Sequence, residues 1–112
     1  MSYEEIATMI ESIGLPYAYY QFPEGTGQEP PFVVFFYSNI DDLYADDINY
    51  QRIVTLNIEL YTREKDFESE ETVEEILTDN ELTYYKEENY IESEKMYQIA
   101  YETEVIIHGK QG

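Results

Sequence analysis

Between Tyr50 and Thr62 the chain reads YQRIVTLNIELYT, and in its centre Val54, Leu56, Ile58 and Leu60 alternate with Thr55, Asn57 and Glu59. A two-residue period puts the four apolar side chains on one face of a strand and the polar set on the other. Such a strand is stable only inside a sheet covered on one side, so the other segments must supply both neighbouring strands and a covering layer. With 112 residues and no cysteine, the chain must build that layer from a hydrophobic core, without disulfides or thiolate metal sites.

The covering layer is legible. Ser2-Tyr3-Glu4-Glu5 has the capping-box pattern, and Ile6, Met9, Ile10 and Ile13 follow on one helical face before Gly14 and Pro16, which predicts a helix over 2–13. DFESEETVEEILTDN, 66–80, predicts a second helix with Val73, Ile76 and Leu77 as its stripe and acids at its positive end. PYAYYQF, 16–22, reads as an aromatic strand and FPEGTGQEPP, 22–31, as a loop. FVVFFY, 32–37, is a continuous apolar run, the pattern of a strand covered on both faces. SNIDDLYADDINY, 38–50, loses all periodicity and is expected to be a long loop or hairpin tip. LTYYKEENYIE, 82–92, and EKMYQIAYETEVII, 94–107, close the chain as strands. In the second, Tyr97, Ile99, Tyr101, Val105 and Ile107 oppose Gln98, Glu102 and Glu104. The order α-β-β-β-α-β-β predicts one α+β domain over 1–112, a mostly antiparallel sheet with two helices packed on it, and 107–112 as a frayed tail.

Charge narrows the function. Six Lys and Arg stand against 25 Asp and Glu, a net charge of −19. Nucleic acid and anionic membranes are repelled by such a balance, because phosphate binding depends on Lys and Arg displacing counterions. Two readings of the acids stay open: solvation alone, or a specific electrostatic role as a DNA mimic or as a surface to which DNA must not stick. The opening MSYEEIATMIESIG carries acids where a secretion signal carries basic residues, so the chain is expected to be made and used in the cytoplasm.

Catalytic chemistry finds no footing. His108 is the one histidine and cysteine is absent, so no nucleophile has an evident base. Asp41, Asp42, Asp46 and Asp47 offer oxygen ligands, but without the alternate spacing and central glycine of a calcium loop. GTGQ, 25–28, lacks the Lys and Ser/Thr of a phosphate loop and opens no helix. No catalytic, metal or cofactor residue is therefore assigned, and no cofactor is expected. Tyr17, Tyr19, Tyr20, Tyr84, Tyr85 and Tyr90 suit either packing on the sheet or a protein interface.

Several segments in order, MSYEEIATMIESIGLPYAYYQF, PPFVVFFY, NIELYTREKD and YIESEKMYQIAYETEV, resemble the small head–tail joining proteins of tailed phages and prophages of Gram-positive bacteria. These are tail-terminator or tail-completion proteins, often labelled minor capsid proteins, and the likeness runs from residue 1 to about 107. The resemblance implies a structural role in the virion neck, assembled from protein made in the host bacterial cytoplasm. It implies a ring, usually hexameric, that caps the tail tube and docks on the head connector or stopper protein while DNA passes through unbound. On that reading Arg52, Arg63, Lys65, Lys86 and Lys95 are expected at subunit or partner boundaries, pairing with acids of neighbours. The two polar excursions add Phe22 and Glu24, and Tyr44, Asp46 and Asp47, as candidate contacts. The alternatives are another connector ring of the neck, or an acidic DNA mimic that inhibits a DNA-binding protein.

Overall fold

A computed structural model describes residues 1–44 and 50–108, with backbone alone at 42–44 and 50. Helix α1 spans Tyr3–Glu11, β1 Tyr17–Tyr19, β2 Phe32–Tyr44, β3 Tyr50–Thr62, α2 Phe67–Asp79, β4 Tyr85–Ile91 and β5 Met96–His108. The strands form one sheet in the order β1-β2-β3-β5-β4, with β1 parallel to β2 and every other pair antiparallel. The fold is the α+β arrangement that the element order implies.

The capping box closes as its pattern requires: the Glu5 N–H donates to Ser2 Oγ at 3.1 Å, and the Ser2 N–H donates to Glu5 Oε1 at 2.8 Å. Ile6, Met9 and Ile10 of α1 and Val73 and Leu77 of α2 then bury against Val33, Phe35, Val54, Leu56, Ile58, Leu60, Ile99, Tyr101, Val105 and Ile107. All ten sheet residues share one face by register, so both helices lie on the same side. Each fully buried aliphatic side chain in this layer contributes about 1.5–3 kcal/mol relative to exposure.

Strand β2 departs from its expected limits. Residues 38–44, read from sequence as loop, continue the strand in register with β3 from Ile40↔Val54 to Tyr44↔Tyr50. The cause is a bulge between Tyr37 and Ile40, which adds a residue and shifts the phase of the side chains. Tyr37 and Ile40 therefore share a face, and the alternation that marks a strand is broken in the sequence. Residues 45–49 of that segment and 109–112 of the expected tail lie outside the described residues, while Ile107 and His108 belong to β5.

On the helix-free face only Val34 of β2 and Thr55 of β3 are buried among the described residues. Val34 is buried there because segment 20–31 folds back over it, with Tyr20 against Phe36 and Phe22 edge-on to Phe32. Covering of FVVFFY on both sides is thus achieved, by a loop on the second side instead of a helix. Beyond the bulge, β2, β3 and the end of β5 run past this cover as an arm, and Ile40 and Ile106 stand 53% and 47% exposed on its two faces. The arm stretches the molecule to 51 × 30 × 22 Å, with a radius of gyration of 15.4 Å, against about 13 Å for a compact chain of this length. Met1 braces the arm: its ammonium donates to the Ile106 carbonyl at 2.9 Å, and the His108 N–H donates to the Met1 carbonyl at 3.3 Å.

Candidate functional site

No group of three or more His, Asp or Glu side chains converges to hold a metal among the described residues. Asp41 is exposed on β2, Asp42 lies opposite Arg52 in register, and Asp46 and Asp47 lie outside the described residues. His108 is exposed at the end of β5. A hollow of about 500 Å³ is lined by Asn39, Thr55, Thr83, Tyr84, Tyr85, Glu102, Thr103 and Glu104. It holds no cationic side chain, so it offers an anion nothing but hydroxyl and amide donors beside two carboxylates.

The strongest electrostatic feature is internal. Glu70 of α2 is 2% exposed, and its two carboxylate oxygens meet Lys65 Nζ at 2.6 Å and Lys86 Nζ at 2.9 Å. Lys65 also pairs with Glu88, and Lys86 with Glu74 at 2.7 Å. The Tyr101 hydroxyl donates to Glu74 Oε2 at 2.8 Å and lies 3.4 Å from the Glu70 carbonyl. Burial pushes the Glu70 pKa upward, yet the hydrogen bonds and charges of Lys65 and Lys86 outweigh it and hold the carboxyl below its ordinary value. Burial and the acceptor Glu74 raise the Tyr101 phenol, and the carboxylates raise Lys65 and Lys86 against the opposing pull of burial. Glu70, Lys65 and Lys86 are thereby each held in the ionised form at neutral pH, which suits a clamp between α2 and β4 and not proton transfer. The signal for Glu70 was present in the sequence: it falls on the apolar stripe of α2, three and seven residues before Val73 and Leu77.

The residues expected as contacts do not form one surface. Lys65 and Lys86 are committed to the internal cluster. Arg63 reaches Glu29 at 2.6 Å, an exposed pair that ties loop 22–31 to the end of β3 and contributes about 0–1 kcal/mol. Phe22 is half-buried on Phe32, which stacks in turn on Tyr61 with centroids 5.0 Å apart, while Glu24 is exposed. Tyr44 and Arg52 belong to the arm, and Lys95 is exposed in the turn before β5.

A different surface is set apart by what it lacks. Residues 12–23 and 30–40 contain no charged side chain, in a chain that is 28% charged. The first run holds β1, an edge strand, and the second most of its neighbour β2, so the strands of one flank carry no charge over these residues, with Glu11 of α1 reaching the Tyr17 hydroxyl beside them. This flank is also aromatic. On the helix side Tyr19 packs on Phe35 and Tyr37 at 5.3 and 5.8 Å, and Tyr3 packs on Tyr37 at 5.2 Å. On the other side Tyr20 is 67% exposed. Its φ of 69° is a left-handed conformation that a bulky residue rarely adopts, fixed by its N–H donating to the Phe35 carbonyl at 2.8 Å. Exposed, rigid tyrosines with few charges are the composition of an interface centre. An uncharged run is a weak local signal, and it acquires meaning only once β1 is known to be an edge.

The opposite flank is acidic. The outer surface of α2 carries Glu71, Glu75 and Asp79, and β4 carries Glu87 and the Lys65-paired Glu88 beside exposed Tyr85 and Tyr90, so acids concentrate on this side while tyrosines are exposed on both. No family profile and no curated protein matches the sequence. Among solved structures, a chain from the virion of a native gene transfer agent (GTA) particle is similar, with a TM-score of 0.57 over 92% of this chain and 86% of that chain at 14% identity. At that identity the two chains share a fold.

Proposed function

We propose that the protein is a structural component of a phage-like virion, acting at the head–tail junction as a tail terminator. In this reading copies of the chain form a ring, on the order of a hexamer, that caps the tail tube and receives the head connector. The role is one of assembly and not of catalysis. The observation that carries it is the likeness, over nearly the full length of both chains, to a chain of the gene transfer agent virion. Two physical features support it. The domain offers surfaces suited to protein contacts, an aromatic flank with uncharged strands and an arm with exposed isoleucines, and its charge of −19 lets DNA pass a lumen without sticking.

The test is electron microscopy and size measurement of the purified protein with and without tail tubes. Rings seated on tube ends are the expected result. A protein that stays monomeric beside the tubes, or that binds a DNA-processing enzyme tightly instead, overturns the proposal.

A further inference from the structure

The sheet has two open edges of opposite character. At one end, β1 pairs with β2 through Pro16 and Tyr20, which accept from Val33 and donate to Phe35, so the main-chain groups of Tyr17 and the N–H of Tyr19 face outward. At the other end, the seven residues of β4 run in unbroken register along β5, with no bulge and no proline, and their outer edge has no neighbour among the described residues. Open strand edges invite pairing with another chain. Glu88 is paired with Lys65, but Glu87 is exposed without a lysine partner among the described residues and disfavours registers that set two β4 edges with Glu87 facing Glu87, since like charges facing across a strand pair repel. This leaves a strand without charged residues as the compatible partner, and β1, Tyr-Ala-Tyr, is such a strand. A symmetric β1–β1 contact would leave the longer β4 edge open.

Resting on the ring reading, we propose that β1 of one copy lies against β4 of the next, so that the sheet continues from subunit to subunit and a closed ring leaves no edge free. Such a head-to-tail contact uses two different patches of the same chain, as ring closure requires. β1 itself carries no acid to set against those of β4, the nearest being Glu11, which accepts from the Tyr17 hydroxyl at 3.4 Å.

Because the chain contains no cysteine, introduced pairs report contacts cleanly. Ala18 and Glu87 both lie on the helix-free side of their strands, and Tyr85 and Asn89 are the neighbouring positions on that side of β4. Ala18→Cys is combined in turn with Tyr85→Cys, Glu87→Cys and Asn89→Cys to cover three registers. Under mild oxidation of assembled protein, at least one double variant should give a disulfide ladder up to the size of the ring, while the single variants give none. Rings without a ladder in any register, or quantitative dimers from Ala18→Cys alone, overturn the edge pairing and leave the ring reading standing. A ladder without closed rings supports the pairing and overturns the ring, and the absence of both overturns both. A second pair of variants reads charge at Ala18, on the side of β1 away from Glu11. Ala18→Glu should abolish assembly and Ala18→Lys should retain it, with circular dichroism confirming that both fold. Equal behaviour of the two refutes an acidic partner edge.

Discussion

Replacing Glu70 with glutamine tests whether the internal ion cluster holds α2 to the sheet. The amide keeps the shape of the side chain but removes its charge and turns an NH2 donor toward one of the two ammonium groups. Removing one partner from a fully buried pair costs about 3–5 kcal/mol, because the survivor is stranded without water. Here Lys65 and Lys86 are 25% and 37% exposed and retain Glu88 and Glu74, so a loss of about 2–3 kcal/mol is expected. For a domain of this size that lowers Tm by roughly 10–15 °C. The pH dependence has a definite sign. The folded carboxyl titrates below its ordinary 4.5, so the stabilisation is complete above about 4.5 and disappears as pH falls through the folded value. Urea denaturation followed by far-UV circular dichroism should therefore give a gap between wild type and Glu70→Gln that is widest at neutral pH and closes in acid. Comparing the two proteins cancels the other carboxylates, whose protonation also relieves self-repulsion. A gap below about 0.5 kcal/mol at pH 7, within the usual effect of a surface change, or a gap unchanged in acid, refutes the clamp.

Tyr101→Phe keeps the buried ring and removes the hydroxyl that donates to Glu74; it should cost about 1.5–3 kcal/mol in the same denaturation assay, as for a hydrogen bond to a charged group. Lys95 has a φ of 51° and its ammonium meets no carboxylate among the described residues. Lys95→Gly should therefore stabilise the fold by about 1 kcal/mol through relief of the left-handed backbone, and a simultaneous loss of assembly would mark the lysine as a contact. Deleting residues 24–29 removes the exposed Glu29–Arg63 pair and no core residue. The variant should keep its circular dichroism spectrum and impair assembly on tail tubes; unchanged assembly would make the loop a connector only.

Much of this fold is legible because its sheet has one dry face. The alternation of Val54 to Leu60 and the spacing of Ile6, Met9 and Ile10 report the same apolar layer from its two sides, and local periodicity is enough to find both. Segment 38–44 is hidden because the bulge after Tyr37 moves Ile40 onto the same side. The insertion of β5 between β3 and β4 has no local signal, since pairing partners are chosen by contacts distant in sequence. Glu70 is obscured by abundance: among 25 acids, one on an apolar stripe does not stand out until the lysines that reach it are placed. The uncharged pair of runs is hidden for the opposite reason, since nothing marks a missing charge until the two are brought side by side.

The uneven distribution of charge decides between two ways in which a chain of −19 can associate with itself. If copies are held by Arg63 or Lys95 pairing with acids of their neighbours, the junctions are exposed ion pairs, and added salt weakens them. If they are held through the uncharged aromatic strands, the attraction is apolar and main-chain hydrogen bonding, while the acids spread over the remaining surface act only as repulsion. Salt then screens the opposing term and leaves the favourable one intact, since the Debye length falls from about 30 Å at 0.01 M to about 3 Å at 1 M. The committed positions of Lys65 and Lys86 favour the second case, because two of the described cations are already neutralised inside the chain. Assembly followed by light scattering should therefore strengthen as sodium chloride rises from 0.05 to about 0.5 M, the range over which surface repulsion is screened. Dissociation over that range would return the junctions to the basic residues and remove the electrostatic ground for pairing β1 with β4.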